Sequence, residues 1–252
     1  MGIENIIFTN RSGQSLSGRL DLPEETPQAY ALFAHCFTCS KNLKAVAHIS
    51  KALNGEGIAV LRFDFTGLGE SEGDFGDTNF SSNVSDLIDA ANYLAQNHTA
   101  PRILIGHSLG GAAVLQAAAE LKSVKAVVVI GTPAEPTHVK RALAGVEDEI
   151  EQKGEAEVDL SGRRFKIKKQ FLDDLEKNKM AKIIRKLKRA LLILHSPTDS
   201  VVGIDNAAKI FAAARHPKSF VSLDRADHLL SDSDDSRYAG KLIAVWAKRY
   251  LS

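Results

Sequence analysis

Two segments of alternating apolar and polar residues, 3–9 and 15–22, open the chain, and Arg11-Ser12-Gly13-Gln14 between them has turn composition. Period-two alternation marks a strand with one covered face, so the pair predicts an antiparallel hairpin. Residues 29–35 are instead continuously apolar, the pattern of a strand covered on both faces, and 58–63 reads as the next buried strand. Between them, residues 43–53 carry helical spacing (Leu43, Val46, Ala47, Ile49, Leu53) and stop at Gly55 and Gly57. The alternation goes on through a helix at 84–96, a strand at 102–105, an alanine-rich helix at 110–121 and a strand at 126–130. After a gap come a strand at 190–195, a helix at 204–214, a strand at 219–223 and a last helix at 238–251. Strands separated by helices imply βαβ units, hence an α/β fold with a mostly parallel central sheet and helices on both faces.

The gap, residues 132–189, opens with Thr-Pro-Ala-Glu-Pro136 and contains an acidic helix-like part at 139–152. Alternation at Ala156, Val158, Leu160, Phe165 and Ile167 around Ser161-Gly162 predicts a hairpin, and a basic helical part at 168–188 closes it. The stretch is too long for a loop and too small for its own core. It reads as an insertion packed over the sheet's edge, within a single domain spanning residues 1–252.

Composition narrows the classes. Hydrophobic residues are 44% and charged residues 25%, as in ordinary globular proteins, which excludes disordered, collagen-like and disulfide-scaffold chains. Lys plus Arg (32) against Asp plus Glu (31) leaves +1, so no global field calls for nucleic acid or an anionic membrane. Within the insertion the charges segregate: Glu147, Asp148, Glu149 and Glu151 lie in an acidic half, and Arg163, Arg164, Lys166 and Lys168 open a basic one. Solvated faces that pair across the insertion are the plain expectation; a non-catalytic module holding an acidic partner on the basic face is an alternative. The amino terminus has no basic stretch leading into an apolar core, and no apolar run approaches the ~20 residues of a spanning helix. Two cysteines, Cys36 and Cys39, fit a reducing compartment with free thiols, so a cytoplasmic location is expected.

The chemistry lies at the strand ends. Gly106-His107-Ser108-Leu109-Gly110-Gly111 follows the strand at 102–105 and opens a helix, the context a G-x-S-x-G nucleophile turn requires. The glycines leave room for a sharp turn that lifts the Ser108 hydroxyl above the strand ends and aims the Leu109 N–H at the space of an oxyanion. A serine needs a base, and the base an orienting acid, in the order Ser, Asp or Glu, His. Asp199 follows the strand at 190–195 and His228 the strand at 219–223.

With these residues in place, the sequence resembles the α/β-hydrolases over essentially its whole length. His35-Cys36-Phe37-Thr38 resembles the family's His-Gly-x oxyanion loop, with Cys36 where most members have glycine. Asp64-Phe-Thr-Gly67-Leu-Gly69-Glu-Ser71 resembles its D-x-x-G-x-G-x-S loop. The closer similarity is to bacterial esterases and acyl-hydrolases of the serine aminopeptidase and feruloyl esterase type. The resemblance implies Ser108 as nucleophile, His228 as base and then acid, Asp199 as orienting acid, and the N–H groups of Phe37 and Leu109 as oxyanion hole. It implies a serine carboxylesterase that needs no metal or organic cofactor, acting on a small-molecule ester or acyl substrate, with the insertion as lid. Ester, thioester and small amide substrates all fit. Leu143, Val146, Ile150, Phe165, Phe171 and Leu172 are expected to wall the acyl pocket.

Cys36-Phe37-Thr38-Cys39 supports a rival of another class, a thiol–disulfide oxidoreductase, because a helix N-terminus lowers a thiol pKa. That reading leaves Ser108, Asp199 and His228 idle. A metal held by His35 and the two cysteines lacks a fourth ligand.

Overall fold

The opening hairpin forms as its alternation predicts, β1 (Gly2–Thr9) pairing antiparallel with β2 (Ser15–Leu22) in a computed structural model that describes residues 2–160 and 162–251. The chain continues through β3 (Ala29–Ala34), α1 (Lys44–Asn54), β4 (Ile58–Phe63), α2 (Phe80–Asn97), β5 (Ile103–His107), α3 (Leu109–Ala117) and β6 (Ala126–Ile130). The insertion holds α4 (Glu147–Lys153), the hairpin β7 (Glu155–Leu160) and β8 (Arg163–Lys168), then α5 (Lys169–Lys177) and α6 (Met180–Arg185). Ser161, in the expected hairpin turn, lies outside the described residues. The strand β9 (Ala190–His195), α7 (Asp205–Ala213), β10 (Lys218–Ser222) and α8 (Ser233–Lys248) complete the order. Helix α2 begins before its apolar spacing does, because Asn79 and Ser82 exchange capping hydrogen bonds at its first turn.

The main sheet runs β1-β2-β4-β3-β5-β6-β9-β10, antiparallel at β1-β2-β4 and parallel from β4 onward. The pleat sends alternate residues to opposite faces. Val127 and Val129 of β6 join Leu32, Leu61, Leu104 and Ile193 in the layer under α2, α3 and α7. Ala126, Val128 and Ile130 face the other way, against Val46 and Ile49 of α1 and Ile243 of α8. Parallel strands bring the ends of β3, β5, β6, β9 and β10 to one rim, where the candidate residues follow.

The insertion departs from the sequence expectation in two ways. It does not cover the sheet's edge: it leaves between β6 and β9, which are neighbouring interior strands, and packs on α2, α3 and α7. Its helical parts are broken, the first at Gly145, whose φ of 95° suits glycine, and the second at Asn178-Lys179 between α5 and α6. Its apolar side chains, too few for a core of their own, join the main core. Phe171 stacks on Phe37 with ring centroids 5.5 Å apart, and Phe165 sits edge-on to Phe75 at 5.0 Å. With Phe171 only 1% exposed, Phe171→Ala should lower unfolding free energy in urea by about 3–5 kcal/mol, the usual cost of emptying a buried phenylalanine site. A loss below about 1 kcal/mol would return this ring to the periphery.

The segregated charges pair as expected. Lys166 meets Glu155 at 3.2 Å and Lys169 bonds Glu151, each a lysine of the basic half on a glutamate of the acidic half. These are exposed pairs, screened by solvent, and they hold the surface more than the fold.

Candidate active site

Ser108 stands between β5 and α3 with φ 54° and ψ −125°, a region unfavourable for any side chain and typical of residues held for function. The turn survives because the residues two positions away on either side have no side chains. A Cβ at Gly106 would overlap the carbonyl of Gly110, and one at Gly110 would overlap that of His35 at the end of β3. The Ser108 N–H donates to the Ile130 carbonyl at 2.9 Å, tying the turn to β6.

Asp199 and His228 meet as the sequence anticipates. His228 Nδ1 donates to Asp199 Oδ2 at 2.7 Å, while Asp199 Oδ1 accepts the N–H groups of Val201 and Val202, both at 2.9 Å. Burial by itself pushes the Asp199 carboxyl up, but His228 and the two N–H groups outweigh it and hold the group below the ordinary range. Asp199 is therefore a carboxylate at neutral pH, and its bond to Nδ1 places the proton of the neutral His228 imidazole on that nitrogen. Asp224 and Asp227, the other acids near His228, are exposed, and Asp227 Oδ1 instead accepts the Ser231 N–H at 2.8 Å.

The two halves are joined by a residue to which the sequence assigned no role. His107 Nε2 donates to the His228 carbonyl at 2.6 Å, and the two rings lie 4.9 Å apart. A carbonyl can only accept, so His107 carries its proton on Nε2. Burial foremost, and the neighbouring His228, lower the His107 pKa to about 3, so it is a neutral clamp and not a second base. Its signal was its place inside the G-x-S-x-G motif. Among the described residues the Ser108 hydroxyl itself has no hydrogen-bond partner, so the turn is brought against His228 without a Ser108–His228 bond. Catalytic hydrogen bonds often tighten only when substrate is bound.

Phe37 and Leu109 line one small cavity together with His35, Cys36, Phe65 and Leu68. The adjoining cysteines correct the expectation of free thiols: Cys36 and Cys39 form a disulfide. The physical reason is the turn, in which the Cys39 N–H donates to the Cys36 carbonyl at 3.1 Å and the Cα atoms come within 5.3 Å, inside disulfide range. A cytoplasmic location thereby loses the argument it drew from free thiols. The sulfurs, bonded to each other, are not thiolate ligands for a metal.

The loop after β4 is scaffold. Lys41 donates to buried Asp64 through both its backbone N–H and its Nζ, each at 2.6 Å, and Nζ also reaches Glu70 at 2.7 Å. Ser71 Oγ donates to the Asp64 carbonyl at 2.6 Å, and a Cβ at Gly69 would overlap the Asp64 carboxylate. The D-x-x-G-x-G-x-S residues thus fold the loop on itself beside the loop after β3. Among the described residues no helix is long and apolar enough to cross a membrane.

A strained serine turn after a central parallel strand, with an acid and a histidine following later strands, defines an α/β-hydrolase. Residues 26–153 match the sequence profile of the serine aminopeptidase S33 family, and the chain belongs to that family. It is 54% identical to the esterase domain of a Rhodothermus marinus protein, with 100% of both chains covered and a TM-score of 0.82. Est1E from Butyrivibrio proteoclasticus, solved with ferulic acid bound, shares the fold at 20% identity, 98% and 99% coverage and a TM-score of 0.79. Mouse palmitoyl-protein thioesterase ABHD10, a mitochondrial protein, is 27% identical over 239 residues, 92% of this chain and 78% of the relative.

Proposed function

We propose that the chain is a serine carboxylesterase working through an acyl-enzyme on small or medium acyl substrates. The observation that carries this reading is the 2.7 Å bond between His228 Nδ1 and Asp199 Oδ2, clamped through His107 to the turn of Ser108. Ser108 Oγ attacks the ester carbonyl carbon while its proton passes to His228 Nε2. The tetrahedral oxyanion is held by the N–H groups of Phe37 and Leu109. His228 then protonates the leaving alkoxide, and the C–O bond breaks to leave acyl-Ser108. A water enters, gives a proton to His228 and attacks the acyl carbon. Ser108 recovers the proton as the acid departs. Asp199 remains ionised throughout and stabilises the imidazolium.

The named activities of the relatives, an esterase domain and a palmitoyl-protein thioesterase, support acyl transfer to water. The insertion at 132–189 acts in this reading as the lid that selects the acyl group, reaching the oxyanion loop through Phe171 on Phe37 and Arg163 Nη1 on the Thr38 carbonyl at 3.2 Å. A series of p-nitrophenyl esters of increasing acyl length is expected to show saturable turnover with a clear optimum. A fluorophosphonate is expected to label Ser108 alone. Turnover of none of these esters by protein that also fails to label would sink the proposal.

A further inference from the structure

We propose that the Cys36–Cys39 disulfide is a positioning device for the oxyanion hole, setting the direction of the Phe37 N–H; this rests on the serine-hydrolase reading of Ser108. A trans peptide is a rigid plane whose C=O and N–H point opposite ways. The Phe37 N–H shares its plane with the Cys36 carbonyl, so whatever holds that oxygen aims that N–H. The oxygen is held twice, by the Cys39 N–H at 3.1 Å and by His35 Nδ1 at 2.9 Å. Since the carbonyl only accepts, His35 carries its proton on Nδ1.

The turn that delivers the Cys39 N–H passes through Thr38 at φ 63°, a conformation a β-branched residue adopts only under constraint. The disulfide supplies that constraint by linking the two ends of the turn covalently. With it in place, the hydrogen bond from Cys39 to Cys36 is closed, and the peptide plane that carries the Phe37 N–H is fixed beside the small cavity that Phe37 and Leu109 both line. Without it, Thr38 is free to relax to negative φ, the turn opens, and the peptide plane is held by His35 alone. Cysteine at 36 and 39 therefore acts on the reaction through the backbone between them, with no thiol in the chemistry.

A dithiol such as dithiothreitol cleaves the S–S bond by supplying two electrons and two protons, leaving thiols at 36 and 39 and its own cyclic disulfide. The oxidised and reduced enzymes are compared on one ester after removal of reductant under argon. Reduction is expected to lower kcat roughly five- to tenfold, well short of the ~10²–10³ lost when an oxyanion donor is deleted, with KM moving less than about twofold. The inhibition constant of a trifluoromethyl ketone, which mimics the tetrahedral state, should rise by the same factor. Reoxidation should restore both. Cys39→Ser should match the reduced enzyme and ignore dithiol, and the reversibility in the wild type makes the test independent of how well that variant folds. Reduced wild type that keeps kcat within about twofold, or a change carried by KM alone, overturns the proposal while esterase activity stands. An oxidised enzyme whose Ser108 neither labels with fluorophosphonate nor turns over ester overturns the serine-hydrolase reading, and this proposal with it.

Discussion

Ser108→Ala is expected to remove ester turnover almost completely, with kcat falling about a millionfold and only the background of the oxyanion donors remaining. The size follows from the role: without Oγ no acyl-enzyme forms, and His228 has no proton to take. The substitution should be silent in stability, because the hydroxyl has no hydrogen-bond partner among the described residues and its loss orphans nothing. Labelling by fluorophosphonate should vanish at the same time. An alanine variant that hydrolyses esters within about tenfold of the wild type would mean that the nucleophile lies elsewhere.

Asp199→Asn should cost about four orders of magnitude in kcat with the fold intact. Asp199 Oδ1 takes the N–H groups of Val201 and Val202, so an asparagine would keep its carbonyl oxygen there and turn its NH₂ toward His228. Two donors then face each other at the 2.7 Å contact. The imidazole escapes by moving its proton to Nε2, where it can no longer accept from Ser108. Asp227→Asn is the matched control, because its amide oxygen can still accept from Ser231 and the residue stands outside the His228 pair. It should stay within a few-fold of wild type. A dead Asp227 variant beside an active Asp199 variant would falsify the assignment of the acid.

Much of this was legible in the chain because the relevant signals are local. The buried strands declare themselves by unbroken apolar runs, and the glycines around Ser108 by a turn that admits no Cβ on either side. That Asp199 and His228 would meet was readable because each follows a strand of one parallel sheet, and those strand ends share a rim. Other features were hidden because they depend on approach between distant segments. The bond from His107 to the His228 carbonyl spans 121 positions, and the serine motif that contains His107 does not name its partner. The packing of Phe171 against Phe37, on a loop that precedes it by 134 positions (171 − 37), likewise shows only in the folded chain. The cysteine spacing was visible, but whether the pair stayed reduced turned on the closeness of a single turn.

The stacking of Phe37 against Phe171 also bears on how separable the parts of this molecule are. One ring belongs to the loop after β3 and the other to the inserted segment, and each is part of the other's support. The insertion is therefore not an interchangeable module. A segment transplanted from another hydrolase would bring a different surface to that junction, and the loop after β3 would have to be redesigned along with it. Chimeras cut at the natural strand boundaries, 131 and 190, divide one packed unit in two.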